Sequence, residues 1–565
     1  MKIRHHFGMR NWIKGVALMA AAATSAVSAA SAEEAAPPNV LFIAIDDLRP
    51  QLQSYGYGEM YTPHLDRMAG IGMQFDNAHC QQAVCTPSRC SMLTGCRPDT
   101  TRMNYKDERT ESPKFEEEGG FYDRHPGLPQ YFYRQGYYVR ELGKINHGQF
   151  KYTGREPGKL SENRYSSRVY YYLDESNPDT QWGTEPFLKG KLGRQNWQYA
   201  KGENKARLLP YERGPEDLPD EAYPDADIAR EALETLDRAT ASGKPFFLAV
   251  GFRRPHLPFC APKWAWDVYD EEMGGPGIPL SKNPRLGKNQ PDFLIANWAI
   301  AGHKGFPDAE AVYNMSDANR RIIRHGYYAC VTHVDHQIGK LLDYLQGKNP
   351  QKKNHLENTI VVVWSDHGFH LGDHGMWGKS TNFELATRVP LYVYAPGMKG
   401  AGKQTDALVE LVDLYPTLLD LCGFEDQHPV APEGAYWTSR DTAAQRGMDT
   451  YLEGTSFAPL LDRPQKKWKQ AAFSQFVRWM PATGRMGEGF SIRTPDFRYT
   501  EWRSEPDKGV DAGEVVFQEL YDHRPESPTY DPMEVANVAA EPDFADILAN
   551  LQERLHAGWT AALPE

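Results

Sequence analysis

Val40-Leu41-Phe42-Ile43-Ala44-Ile45-Asp46-Asp47 sets six apolar residues without alternation directly ahead of two carboxylates. A strand wetted on one face alternates apolar and polar side chains, whereas an unbroken apolar run suits a parallel strand covered on both faces. The design returns at Thr359-Ile360-Val361-Val362-Val363-Trp364, ending in Ser365-Asp366-His367. It returns again at Pro245-Phe246-Phe247-Leu248-Ala249-Val250, ending before Arg253, Arg254 and His256. Three buried strands that deliver polar groups at their carboxyl ends predict an α/β fold. Its ligand edge gathers residues far apart in sequence, because open α/β sheets bind ligands outside those ends.

Helical stripes alternate with these strands. Ile228, Ala229, Ala232, Leu233 and Leu236 form one, and Val331, Val334, Ile338, Leu341, Leu342 and Leu345 another. Thr62-Pro63 reads as an N-cap followed by Pro at the first helical position. Leu408 to Leu421, with Pro416 inside, reads as a helix pair or a kinked helix. The expected class is a large mixed, mostly parallel sheet sandwiched by helices, with a smaller C-terminal α+β domain. The expected division is a catalytic domain over 33–469 and an appendage over 470–565. The appendage carries strand-like pieces at 472–476, 489–493, 498–502 and 515–521 and a final helix near 545–557. Residues 150–222 lack apolar periodicity and read as a long insertion. Its Tyr165, Tyr170, Tyr171, Tyr172, Trp182 and Trp197 either stack on sugar rings or anchor the loop.

The 565 residues, 40% hydrophobic and 24% charged with 7 cysteines, exclude whole-chain disorder, collagen and a disulfide-stapled miniprotein. A net charge of −12 leaves no global basic field, so nucleic acid is not expected as a partner and an anionic substrate must meet a local cationic cluster. Residues 1–32 read as an export signal: Lys2, Arg4, Arg10 and Lys14 open it, Gly15 to Ala30 is uncharged, and Ala30-Ser31-Ala32 is a small-x-small cleavage site. The uncharged stretch is short for a membrane span. The first cysteine is Cys80, which rules out a lipid-modified N-terminal cysteine. Cys80, Cys85, Cys90 and Cys96 crowd together without a C-x-x-C pair, which argues against zinc and, in an exported chain, for disulfides.

Cys85-Thr86-Pro87-Ser88-Arg89-Cys90-Ser91-Met92-Leu93-Thr94-Gly95 resembles the C-x-P-S-R-x-x-x-L-T-G signature of type I sulfatases. In that family the cysteine is oxidised to formylglycine, an aldehyde whose hydrate attacks sulfur. Gly136 to Gly148 resembles the second signature, with Lys144 and His147 in its Lys and His places. It differs by one inserted residue from the commoner Gly-Lys-Trp-His order. Gly251 to Phe259 is similar to the segment that supplies a substrate-site histidine, here His256. Ser365-Asp366-His367-Gly368 and Leu371 to Lys379 resemble the late metal-and-lysine segment. The Pro-His-Leu-Pro-Phe run, His367, and Lys379 to Glu384 place the likeness in the iduronate-2-sulfatase-like branch of the alkaline-phosphatase superfamily.

Read from residue chemistry, the carboxylates Asp46, Asp47 and Asp366 suit Ca²⁺ or Mg²⁺, and the nitrogen of His367 keeps Mn²⁺ or Zn²⁺ open. The resemblance favours Ca²⁺ and adds Cys85 to the metal set. It further implies that Arg89 and Lys144 hold the hydrated aldehyde and that Lys379 and His256 grip sulfate and protonate the leaving alcohol. His147 would then return the aldehyde from a formylglycine-sulfate intermediate. Arg253 and Arg254 are candidates for reading a substrate carboxylate, with pairing to a structural carboxylate as the alternative, and His374 is a second-line substrate candidate. The implied partners are a sulfated carbohydrate, ending in a 2-O-sulfated uronic acid, and a formylglycine-generating or other sulfatase-maturing enzyme. The chain is expected to be periplasmic or secreted, with no membrane span once the signal is removed. Two other readings stay open: a phosphodiesterase or phosphonate monoester hydrolase of the same superfamily, and an unmodified, non-catalytic glycan-binding relative.

Overall fold

A computed structural model describes residues 37–101, 103, 126–146, 209–214, 220, 223–271, 274–275, 277–348, 353–424, 450–481, 483–504, 511 and 513–564. The export signal, His147 and the six aromatics of the insertion lie outside them. The elements below belong to the compact unit Pro38–Glu565.

The strands are β1 (Asn39–Ile45), β2 (Met73–His79), β3 (Tyr138–Gly143), β4 (Tyr211–Arg213), β5 (Phe246–Phe252), β6 (Phe259–Ala261), β7 (Thr359–Ser365) and β8 (His370–Leu371). They continue with β9 (Trp377–Gly378), β10 (Arg388–Tyr394), β11 (Lys403–Glu410), β12 (Ala472–Met480), β13 (Arg485–Arg493), β14 (Phe497–Arg503) and β15 (Val515–Asp522). Seven of them form the main sheet in the order β11-β2-β10-β7-β1-β5-β3. β10 runs antiparallel to both neighbours, and every other pairing in the sheet is parallel. The three strands expected from their unbroken runs are thus the central neighbours β7, β1 and β5.

Their apolar runs divide by parity between two cores. Leu41, Ile43 and Ile45 join Leu248, Val250, Val361 and Val363 beneath the helices Pro224–Ala241 and Asp317–Leu345. Val40, Phe42 and Ala44 join Ile360, Val362 and Trp364 on the other face, against Met92, Leu93, Phe132, Leu414 and Leu418. Each fully buried Val, Leu or Ile contributes about 1.5–3 kcal/mol, so a polar residue at any of these positions would cost one core or the other. Ile45 pairs with Phe252 on one side and Ser365 on the other. Asp46, Arg253 and Asp366 therefore leave the sheet at the same level.

Two local expectations change. Thr62 does not cap the helix Pro63–Ile71, although Pro63 does open it. The Thr62 hydroxyl instead accepts the Gln53 N–H at 3.4 Å, and the Asp335 side chain takes the N–H groups of His64 and Leu65 at 3.1 and 2.7 Å. Leu408 to Leu421 is not one helical segment. Leu408–Glu410 completes β11 alongside β2, a 3₁₀ turn follows, and the helix runs from Leu414 to Leu421 with Pro416 in its first turn, where a missing N–H costs nothing.

The C-terminal pieces form an antiparallel sheet in the order β12-β13-β14-β15. The helix Ala545–Ala557 covers it, with Leu551 and Leu555 against Ile492, Tyr499 and Leu520. β12 also reaches the loop ahead of Cys85: Gln475 N–H donates to Gln81 O at 2.9 Å and the Ser474 hydroxyl to Cys80 O at 2.6 Å. No helix among the described residues is long and apolar enough to cross a membrane.

Candidate active site

The helix Cys85–Thr94 starts at Cys85 and is buried along its whole length. Pro87 falls in the first turn, where it breaks no helical hydrogen bond. Gly95 ends the helix at φ +67, and a Cβ there would come within 2.6 Å of Leu452. This geometry sets Cys85 at a helix N-terminus, facing the carboxyl ends of β1 and β7. Its Sγ lies 3.5 Å from Asp46 Oδ1, 3.3 Å from His367 Nε2 and 3.1 Å from Lys379 Nζ.

Three buried carboxylates meet three buried cations around that sulfur. Lys144 Nζ donates to Asp46 at 2.5 Å, Lys379 Nζ donates to Asp47, and Arg89 Nε donates to Asp366 at 2.7 Å. Arg89 lies one helical turn beyond Cys85. It also approaches Asp46 at 3.4 Å and donates to the backbone carbonyls of Lys144 and Ile145, tying the helix to the loop after β3. Asp47 is a non-glycine residue at φ +63, a costly conformation that places both its carboxylate and its N–H, the latter 3.1 Å from Asp366 Oδ1, in the cluster. His367 donates Nδ1–H to Gly368 O at 2.9 Å, which leaves Nε2 facing the sulfur.

Charge placement sets the protonation states. Burial pushes Asp46 up, but Lys144, His256 and Arg89 together hold it well below the usual carboxylate range. Asp47 rises to about 7, because burial and neighbouring Asp46 outweigh the relief from Lys379. Burial and Asp46 push the Cys85 thiol up, yet Lys144 and Lys379 bring it below its ordinary value. Lys379 is held well above the ordinary lysine range: burial opposes this, and Asp47 with Cys85 overcomes it. His256 falls well below its ordinary value through burial and the charges of Lys144 and Lys379. Its Nδ1 lies 2.7 Å from Leu257 O.

One ligand-type atom from each of Asp46, Cys85, Asp366 and His367 lies within 4.8 Å of the others, and Asp46, Asp47, Cys85 and His256 form a second such set. Carboxylate oxygens with an imidazole nitrogen fit a divalent cation by donor chemistry. The under-neutralised Asp47 is the carboxylate that such a charge would ionise.

Arg253 and Arg254 are both buried, and their backbone N–H groups share the carboxylate of Asp225 at 2.7 and 3.0 Å. The Arg254 guanidinium donates to His256 O at 2.8 Å and Cys260 O at 3.3 Å, bracing the turn that carries His256. Arg253 is the one whose charge acts on His256. His374 is stacked on Phe383 with ring centroids 4.5 Å apart, and its Nε2 meets Glu534 O at 3.1 Å, toward the C-terminal sheet. All seven cysteines are buried thiols without a disulfide, contrary to the pairing expected for the Cys80–Cys96 group. Supports that sequence reading missed include the Ser88 hydroxyl on Asp366 O at 2.5 Å and the buried Arg49–Asp373 pair at 2.5 Å. Ser88 sits inside the quoted motif and was legible in principle; Arg49 and Asp373 are 324 positions apart and offered no local signal.

The Sulfatase family matches residues 38–424. Iduronate 2-sulfatase of Homo sapiens is 32% identical over 86% of this chain and 90% of its own length, and that of Mus musculus 31% identical over the same shares. Among solved structures, the phosphonate monoester hydrolase of Silicibacter pomeroyi superposes with a TM-score of 0.65 at 22% identity, covering 94% of this chain and 96% of its own. That likeness carries the fold alone.

Proposed function

The chain belongs to the sulfatase family, a sulfuric ester hydrolase by that membership, and from that premise we propose that it removes the 2-O-sulfate of a uronic acid at the end of a sulfated polysaccharide or oligosaccharide. The reading includes export, the domain division 33–469 and 470–565, and conversion of Cys85 by a maturing enzyme. What carries it is the placement of Cys85 at a buried helix start, within 3.5 Å of Asp46, His367 and Lys379. The two iduronate 2-sulfatase relatives support the choice of sugar.

Asp46, Asp47, Asp366 and His367 would hold the cation, with Ca²⁺ favoured and Mg²⁺ or Mn²⁺ open, and its charge would neutralise the sulfuryl oxygens. The aldehyde at position 85 supplies, once hydrated, an oxygen nucleophile that can later be released as the carbonyl. The remaining roles fall to the chain's own side chains. Lys379 holds its ammonium 3.1 Å from the sulfur of Cys85, Lys144 holds its own on Asp46 beside it, and the two charges stabilise the anion that forms there. Lys379 is protonated in the resting site, and negative charge building on the leaving oxygen is what would draw its proton across. His256 rests neutral, and a bound sulfate ester adds the negative charge that favours its protonated form. Arg89 positions rather than touches, since its donors run to Asp366, Asp46 and two carbonyls. By its motif, His147 is assigned the removal of the proton from the remaining hydroxyl, which releases sulfate and restores the aldehyde. Arg253, beside His256, is the better candidate for a substrate carboxylate, because Arg254 braces the backbone.

Mass spectrometry of the peptide 79–97 from protein made in the native host tests the conversion. Turnover of a 2-O-sulfated unsaturated uronate disaccharide against 6-O-sulfated glucosamine tests the sugar. An unmodified thiol, or preference for the glucosamine ester, overturns the corresponding half of the reading.

A further inference from the structure

Beyond the residues that hold the sulfate, the site needs a surface for the sugar. Trp298 is 39% exposed although it belongs to a rigidly docked segment. Its neighbour Asn297 is buried and clamps the hairpin that delivers Lys379: its Nδ2 donates to Gly375 O at 3.2 Å, and its Oδ1 accepts the Trp377 N–H at 2.9 Å. Ala299 packs on the same hairpin so closely that a Cβ on Gly378 would lie 3.2 Å from its methyl. The backbone on both sides of Trp298 is therefore fixed to the strand leading into Lys379.

The indole is tied at its polar end as well. Trp298 Nε1 donates to Ser380 Oγ at 3.2 Å. Ser380 stands at φ +73, its N–H donates to Ala83 O at 2.9 Å, and the Arg478 guanidinium donates to its carbonyl. Ser380 is thus pinned between the loop ahead of Cys85 and the lysine whose Nζ lies 3.1 Å from Cys85 Sγ. A lone exposed aromatic is ordinary on a protein surface. This one is held at its backbone and at its N–H while keeping accessible surface next to the catalytic lysine, which suits an amphipathic ring that stacks on a sugar.

We propose that Trp298 is a specificity-determining wall of the substrate pocket, stacking on the apolar face of the sugar that carries the sulfate or of its neighbour along the glycan. The inference rests on the sulfatase reading above and adds a residue that none of the sulfatase motifs in this sequence includes. Stacking demands a ring, whereas the bond to Ser380 is only the means of aiming it. Phenylalanine should therefore replace Trp298 far better than alanine.

The test measures kcat/KM for whichever sulfated disaccharide the wild type turns over fastest, relative to a small aryl sulfate, together with inhibition by inorganic sulfate. For Trp298→Ala the disaccharide-to-aryl ratio should fall about 30-fold, the scale of losing a buried aromatic anchor, and chiefly through KM. For Trp298→Phe the ratio should stay within about 3-fold of wild type, and the sulfate inhibition constant should move less than about 2-fold in both variants. An unchanged ratio in Trp298→Ala overturns the wall. So does an equal fall for both substrates with weakened sulfate inhibition, which would mean that Trp298 serves only to hold Lys379. Wild-type turnover of aryl sulfate with no disaccharide accepted also overturns the wall, yet leaves the sulfatase reading standing. Wild type inactive on every sulfate ester, with position 85 converted, overturns the sulfatase reading instead.

Discussion

Replacing Arg89 isolates the support beneath the site from the chemistry within it. The guanidinium is fully buried and serves four acceptors: Asp366 at 2.7 Å, Asp46 at 3.4 Å, Ile145 O at 3.1 Å and Lys144 O. Arg89→Met leaves two buried carboxylates short of a cation, and removing one partner of a buried pair costs about 3–5 kcal/mol. That is a large share of the roughly 5–15 kcal/mol that holds a protein folded. Arg89→Lys keeps the charge but not the fork, so one ammonium cannot reach Asp366 and both carbonyls; each carbonyl left unpaired costs about 1–3 kcal/mol. The expected order of urea midpoints is wild type, then Lys, then Met, with kcat reduced in the Lys variant because the loop carrying Lys144 loses its anchor. Equal midpoints for wild type and Arg89→Lys would refute the idea that the fork, and not the charge alone, builds the site.

Cys85→Ala should abolish turnover while its unfolding free energy stays within about 1–2 kcal/mol of wild type, and Cys85→Ser should be inactive unless the host converts serine; turnover in the alanine variant rejects the aldehyde mechanism. Chelation should remove activity and Ca²⁺ should restore it, while full activity of a sample shown metal-free by elemental analysis contradicts the assignment of Asp46, Asp47 and Asp366. His79 is fully buried with no hydrogen-bond partner on either ring nitrogen, and burial, reinforced by Arg498, Arg493 and Arg388 against Glu384, lowers it to about 3. A depressed histidine contributes stability that is complete above its unfolded value near 6.5 and is lost as pH falls toward 3. Wild type should therefore lose about 2 kcal/mol more than His79→Leu between pH 6.5 and 5, and parallel loss in both would reject that role.

The central strands were legible because burial on both faces leaves an unbroken apolar run, and their polar termini announced the edge at which Asp46, Arg253 and Asp366 leave the sheet together. The motif that opens the helix at Cys85 was legible from its fixed spacing. What escaped was decided by partners remote in sequence. Thr62 looked like a cap, but the Asp335 side chain, 271 positions from His64, took the helix N–H groups. Leu408 and Val409 read equally well as helix or strand, and pairing with Asn77 and Ala78 chose strand. Arg253 and Arg254 read alike in the sequence, and only the turn at His256 brings carbonyls onto the Nε and Nη1 of Arg254. Charge and type are visible in a sequence; the competition among acceptors appears only after folding.

That competition also explains the C-terminal sheet's place in the site. From Lys379 onward, alternate residues are fastened to it: Ser380 O accepts from Arg478, Asn382 Nδ2 donates to Gly489 O at 2.8 Å, and Glu384 accepts from Arg498 at 2.6 Å and Arg493 at 3.1 Å. The Glu384 N–H donates to Glu534, which in turn pairs with Arg498 and His523. Glu384, His523 and Glu534 have the donors of a metal site, but Arg493 and Arg498 already supply the positive charge there. Burying so many ions gains little net stability, since desolvation offsets the attraction. What the network does supply is a single position for the segment that begins at Lys379. An ammonium 3.1 Å from position 85 stabilises developing charge only if it need not move to do so. The sheet that looks like an appendage in the sequence therefore supports both sides of position 85, through Gln475 and Ser474 on the loop before Cys85 and through Arg478, Gly489 and Arg498 on the segment after Lys379.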